Sequence, residues 1–222
     1  MARALVNCQC ILLGDVQTGK SSLIKSFKHG LSDHDFHVYN PTILCENDNY
    51  AVEVANRREI QLGIYDTSGQ KGSKVRAYIE LLYPNVQVFV VCFSVDNPAT
   101  FASVRDYVDN IRHHESKDAK IILVGTKTDL RDCSQRRRSR KTSNPSQQIQ
   151  SSQARALCAE LQLLDYLETS AGERDKVTRM FRRVAEEATG LRKAESKEKQ
   201  TFLKRCAHLV KSCCAKAKPG QH

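Results

Sequence analysis

The chain has no apolar run of about 18 residues, the shortest that spans a bilayer as a helix, so no membrane-crossing helix is expected. The opening Met1-Ala2-Arg3-Ala4-Leu5 is too short and unflanked for a secretory signal. Residue 2 is alanine rather than glycine, which excludes N-myristoylation. Nine cysteines include no C-x-x-C pair. Cys8 and Cys10 stand two apart on an expected strand and read as core thiols. Without a signal segment, the nine read as reduced cytosolic thiols. The seven histidines make no metal set: His113 and His114 are adjacent on a helix and point different ways. No internal repeat is present.

Charge of positive sign is abundant but local. The formal net charge is +10, of which residues 131–142 hold +5 and residues 190–222 hold +7, leaving −2 for the remainder. A nearly neutral body with two basic segments suits an anionic surface better than a nucleic-acid-binding domain. The length of 222 residues accommodates one α/β domain, expected over 1–190, and a tail over 191–222.

Strands alternate with helices along the chain. Cys10-Ile11-Leu12-Leu13, Val86 to Val95 and Ile121 to Val124 are continuous apolar runs, as strands buried on both faces are. Tyr50 to Val54 and Glu59 to Tyr65 read as strands joined at Asn56-Arg57-Arg58, and Tyr166 to Thr169 as a short strand. Phe101, Val104, Val108 and Ile111 mark one helix core face, and Val177, Met180, Phe181, Val184 and Ala188 another. Ala154 to Leu161 reads as a further helix. Thr67 to Ser73 reads as flexible. Residues 131–152 are polar and aperiodic, and read as an exposed insert. Together with the GxxxxGK[ST] match at Gly14 to Ser21, the pattern predicts an α/β P-loop fold: a six-stranded, mostly parallel sheet with helices on both faces and ligand at the strand C-termini.

Gly14-Asp15-Val16-Gln17-Thr18-Gly19-Lys20-Ser21 fits GxxxxGK[ST] between an expected strand and an expected helix. In that motif backbone N–H groups wrap a β-phosphate at a helix N-terminus. Lys20 is placed to bridge the β- and γ-phosphates and the Ser21 hydroxyl to hold Mg²⁺; Ser22 follows as a further candidate contact. The third strand ends in Asp66-Thr67-Ser68-Gly69-Gln70. There Asp66 is a candidate Mg²⁺ partner, Gly69 admits a backbone N–H to the γ-phosphate, and Gln70 is a candidate to orient an attacking water. After the fifth strand come Thr126-Lys127-Thr128-Asp129. A carboxylate accepts two hydrogen bonds at once from guanine N1–H and its 2-amino group, and adenine cannot supply them, so Asp129 selects guanine over adenine. The Lys127 stem covers a base face. Glu168-Thr169-Ser170-Ala171 brings backbone N–H groups of Ser170 and Ala171 toward the guanine O6.

These motifs, in this order over residues 6–189, resemble the Ras superfamily of small GTPases. Tyr39-Asn40-Pro41-Thr42, Leu82-Tyr83-Pro84, Val90-Val91-Cys92-Phe93-Ser94-Val95 and Val124-Gly125-Thr126-Lys127-Thr128-Asp129-Leu130-Arg131 look most like the Rho family. The resemblance implies GTP or GDP with Mg²⁺ as ligands. It implies Thr42 on Mg²⁺ and the γ-phosphate, Tyr39 in the first switch, Phe36 against the base, and an effector edge from Thr42 to Cys45. Lys20, Thr42 and Gln70 would then be the catalytic set, metal would lie at Ser21, Thr42 and Asp66, and residues 131–152 would be the Rho-type insert. Effectors, exchange factors and activating proteins are the implied partners of a monomer.

Val16 stands where the family usually has glycine, and Gln17, Ser68 and Lys71 also differ from common Rho residues. A side chain at residue 16 projects toward the γ-phosphate and Gln70. The expectation is a slow GTPase that resists activating proteins and rests in its GTP form, or, alternatively, a non-cycling scaffold at a membrane. The end, Lys218-Pro219-Gly220-Gln221-His222, is not a C-a-a-X box. Phe202, Leu203, Cys206, Leu209, Val210, Cys213 and Cys214 fall on one helical face flanked by Lys204, Arg205, Lys211 and Lys216. That composition suits an interfacial anchor at the cytoplasmic face of a membrane, with Cys206, Cys213 and Cys214 as palmitoylation candidates; a helix packed on the domain or a solvated tail are the alternatives. The cluster Arg136-Arg137-Arg138-Ser139-Arg140-Lys141 is a solvated loop, a phosphoinositide contact or a nuclear-import signal.

Overall fold

The computed structural model describes residues 7–30, 42–54, 58–70, 72–115, 119–131 and 148–190. Within them lie six strands: β1 (Asn7–Leu13), β2 (Cys45–Val54), β3 (Arg58–Thr67), β4 (Val88–Ser94), β5 (Ile121–Thr126) and β6 (Asp165–Glu168). They form one sheet in the order β2-β3-β1-β4-β5-β6. Only β2 runs antiparallel, in a hairpin with β3. The helices are α1 (Lys20–His29), α2 (Ser73–Glu80), α3 (Pro98–Ala102), α4 (Val104–His114), α5 (Ser151–Glu160) and α6 (Arg174–Thr189).

Alternation along the strands divides the core. Cys8, Cys10 and Leu12 of β1 join Leu23 and Ile24 of α1 and Val177, Met180, Phe181, Val184 and Ala185 of α6 on one face. Ile11 and Leu13 join Ile79 of α2, Val104, Val108 and Ile111 of α4, and Leu157 of α5 on the other. Central strands are therefore apolar throughout, as both faces are covered. Truncating a fully buried anchor such as Phe181 to alanine costs about 3–5 kcal/mol. The sequence alternates direction of travel about β1, whose neighbours are β3 and β4. In open α/β sheets such a reversal leaves a crevice at the strand C-termini.

Several boundaries differ from the sequence expectation. β2 begins at Cys45, five residues before the expected Tyr50, because Cys45 to Asn49 pair with β3 through their backbones while the side chains of Glu46 to Asn49 are exposed. Such residues need no apolar alternation. α2 begins where the expected flexible stretch ends; among its described side chains only Ile79 is deeply buried, so no apolar period marks it in the sequence. The single helix expected across Phe101 to Ile111 is two elements that meet at Ser103, whose backbone stays helical. The insert expected over 131–152 is narrower at both described ends. Arg131 is half-buried, Ile149 is only 7% exposed with its N–H donating to the Val95 carbonyl at 2.9 Å, and Ser151 already opens α5. Most of the insert, including residues 136–141, and the whole tail lie outside the described residues.

Candidate functional site

The loop between β1 and α1 is shaped by its backbone. Gly14 has φ +145°, and a Cβ there would stand 2.2 Å from the Cys92 carbonyl oxygen in β4. Gln17 and Gly19 also take positive φ, at 60° and 88°, and α1 starts on the next residue. The loop thus winds into a helix N-terminus, the place where peptide N–H groups are unsatisfied and attract anions.

Lys20 is 5% exposed, and its Nζ donates to the carbonyls of Gly14 at 2.8 Å and Asp15 at 3.1 Å. Burial lowers its pKa, with Asp66 and Asp15 among the charges acting against that shift. A buried ammonium held by carbonyls alone would gain strongly from an anion. The Thr18 hydroxyl donates to Asp15 O at 2.9 Å and tightens the same turn.

Three oxygens meet beside it. Ser21 Oγ lies 3.0 Å from Thr42 Oγ1, which lies 3.3 Å from Asp66 Oδ2. Asp66 Oδ1 is buried and has no hydrogen-bond partner among the described residues. Burial raises the Asp66 carboxyl above its ordinary value, against the hydroxyls of Ser21 and Thr42 and the Lys20 charge. Two hydroxyls and an orphaned carboxylate oxygen are a hard-oxygen set that suits Mg²⁺.

The segment after β3, Ser68 to Gln70, termed the second switch below, touches the loop directly. Ser68 N–H donates to Leu44 O at 2.8 Å, joining the two switch segments. A Cβ on Gly69 would stand 2.3 Å from Val16 N and 2.4 Å from Asp15 C. Gln70 is exposed, and its N–H donates to Ser68 Oγ at 3.3 Å. Val16 is 47% exposed on the same arc.

At the other end of the crevice, Asp129 is exposed at the surface and accepts from Ser170 Oγ. Thr169 N–H donates to Gly125 O at 2.9 Å, which registers the Ser170-Ala171 turn on β5. Lys127 takes φ +57°, and its Nζ is 4.0 Å from Asp96. Thr126 differs from its neighbours. It is 1% exposed, and its Oγ1 lies 2.6 Å from Thr18 O and 3.0 Å from Phe93 O. Its hydroxyl therefore braces the phosphate loop.

A family model described as the Ras family matches residues 9–190. The chain belongs to the Ras family. As a Ras-family domain it is a guanine-nucleotide-binding switch protein of the small-GTPase kind, and its six-stranded sheet is the P-loop GTPase fold. Members of the family bind GTP and GDP, typically with Mg²⁺. In this Ras-family chain the structure gathers Gly14 to Ser22 with Thr42, Asp66 and Gly69 at one end, and Lys127, Asp129, Ser170 and Ala171 at the other. Phe36 and Tyr39 lie outside the described residues.

Sequence reasoning missed two supports of this site. Asp15 accepts from Ser103 Oγ at 2.7 Å and Tyr107 OH at 3.1 Å. Glu168 Oε1 collects Arg131 at 2.9 Å, Ser151 at 2.6 Å and Tyr166. Its carboxyl stays below the ordinary value: these bonds outweigh burial, which acts the other way. The only sequence signal for either was the presence of Asp15 and Glu168 inside the motifs.

Proposed function

We propose that this Ras-family chain is a Rho-type switch that cuts GTP slowly and rests in its GTP form. The observation that carries this is the contact between Gly69 and the Asp15–Val16 peptide. It brings the second switch against the very residue where a side chain replaces hydrogen, next to Gln70 in the chain. Crowding there opposes the placement of an attacking water and of an activating arginine, and misplacement by about 1 Å can cost 100-fold in rate.

In the reaction, water attacks GTP to leave GDP and phosphate. Bound Mg²⁺ would neutralise phosphate charge, with Ser21, Thr42 and Asp66 to hold it. Lys20 brings a buried positive charge to the phosphates. The backbone from Gly14 to Ser22 cradles them. Gln70 orients the water through its amide. Asp129 admits guanine, and Ser170 keeps that carboxylate oriented.

Rho-type features support an effector surface on the first switch, where Ile43 is 80% exposed beside Leu44. Effector, exchange-factor and activating-protein contacts and a role in signalling to actin follow from that reading. The tail supplies the membrane attachment, with Cys206, Cys213 and Cys214 as lipidation sites. Val16 also favours a second reading, in which the chain never cycles and serves as a membrane-attached scaffold.

Nucleotide content of the purified protein and single-turnover hydrolysis, compared with Val16→Gly, test both. The slow-switch reading expects bound GTP and a rate raised about tenfold or more by Val16→Gly, a barrier change of ~1.4 kcal/mol or more. No measurable turnover in the parent leaves the scaffold reading. Normal turnover with normal response to activators overturns both. Loss of membrane association on changing the three tail cysteines to serine is expected, and an unchanged distribution overturns the anchor.

A further inference from the structure

Asp15 is buried, and its carboxylate is held from a different layer of the fold. Ser103 Oγ reaches Oδ2 at 2.7 Å and Tyr107 OH reaches Oδ1 at 3.1 Å. Ser103 stands where α3 meets α4, with its own backbone helical and its N–H still donating to the Ala99 carbonyl at 3.2 Å. Tyr107 follows one turn later on α4, and burial with the Asp15 charge keeps its phenol protonated as a donor. The Asp15 main chain is meanwhile engaged by Thr18 and Lys20 and abutted by Gly69. Ser103 and Tyr107 also line the cleft beneath the second switch, with Ser68 and Gln70.

We propose that Ser103 and Tyr107 are positioning residues that hold the Asp15–Val16 peptide against Gly69, and so govern how the site grips the terminal phosphate of GTP. The inference rests on the guanine-nucleotide reading. Gly19, Lys20 and Ser21 belong to the opposite end of the loop, at the start of α1, and would keep the β-phosphate that GDP shares. Loosening Asp15 therefore weakens GTP more than GDP.

The test uses the full chain loaded with fluorescent GDP or a fluorescent non-hydrolysable GTP analogue in Mg²⁺. Tyr107→Phe and Ser103→Ala are each expected to speed release of the analogue about tenfold and of GDP less than about threefold, as loss of one buried hydrogen bond allows. Ser103→Thr, which keeps the hydroxyl, is expected to restore the parent ratio. Asp15→Asn combined with Tyr107→Phe should fall short of the sum of the two, because they share one link. A simple loss of stability would speed both nucleotides alike. Equal acceleration of both, no acceleration, or failure of Ser103→Thr to restore the ratio overturns the proposal. If Ser103→Ala does not fold, the Tyr107→Phe ratio decides it. A parent protein that binds neither guanine nucleotide instead overturns the underlying reading.

Discussion

Gly69 meets the main chain of Val16 so closely that a Cβ on Gly69 would stand 2.3 Å from the Val16 nitrogen. The atoms in the way are backbone, which cannot swing aside as a flexible side chain does. Gly69→Ala should therefore prevent the second switch from closing on the loop. The expected outcome is a loss of about tenfold or more in single-turnover hydrolysis, with GDP affinity within about threefold of the parent. Stopped-flow release of GDP and a hydrolysis time course read the two separately. Unchanged hydrolysis would show that the contact is incidental.

Thr126 and Thr18 are linked across the site by a 2.6 Å contact. Thr126→Val keeps the shape and removes the donor. The expected cost is about 1–3 kcal/mol, since buried carbonyls lose a partner. At this size that is a fall in Tm of about 2–4 °C per kcal/mol. Both GDP and GTP should leave faster, because the brace serves the loop and not one phosphate. Calorimetry with GDP bound checks the first part. A selective loss of guanine over other purines would instead place the Thr126 hydroxyl on the base.

Burial raises the Asp66 carboxyl above its ordinary value, so the metal-free fold favours its neutral form more than the unfolded chain does. For a raised folded pKa, the stability due to the group is present below the unfolded value and lost as pH rises through the folded one. In EDTA the parent should thus lose stability relative to Asp66→Asn as pH rises above about 4. Mg²⁺ should reverse the order at neutral pH, because the ionised carboxylate then has a partner. Urea midpoints across that range, with and without Mg²⁺, measure it. A parent that gains on the variant with rising pH in EDTA would contradict the assignment.

Arg131 donates to Glu168 at 2.9 Å and to Ile149 O at 2.7 Å, tying both described ends of the insert to the strand that leads into Ser170. Arg131→Ala should destabilise the protein by about 1–3 kcal/mol and expose residues 148–151. Hydrogen exchange at Ile149 reads the local opening, and the urea midpoint reads the total. Exchange that changes nowhere near Ile149 would assign the bond to the surface.

The central strands were legible because they are buried on both faces, so Val88 to Ser94 and Ile121 to Thr126 announce themselves as apolar runs. The phosphate and base motifs were legible because backbone geometry restricts residue type, as at Gly14 and Gly19. The first half of β2 was not. Its residues are polar, and it becomes a strand through backbone pairing with β3, which leaves no period in the side chains. Nor was the embedding of Arg131: in sequence it stands at the head of a basic, aperiodic run, and only its distance to Glu168 separates it from that run.

What the order of residues determined alone was local: a glycine-bearing loop between strand and helix, a carboxylate after β5, and a valine inside the loop. Each follows from chemistry within a few neighbours. What tertiary structure decided was every contact made across the sheet. Asp15 and Ser103 are 88 residues apart, and Thr18 and Thr126 are 108 apart. A side chain's pattern along its own helix does not record such partners, because any donor at the right point in space will serve. The fold chose Ser103 and Tyr107 by laying one helical turn against Asp15, and so settled what holds the loop that the sequence had already named.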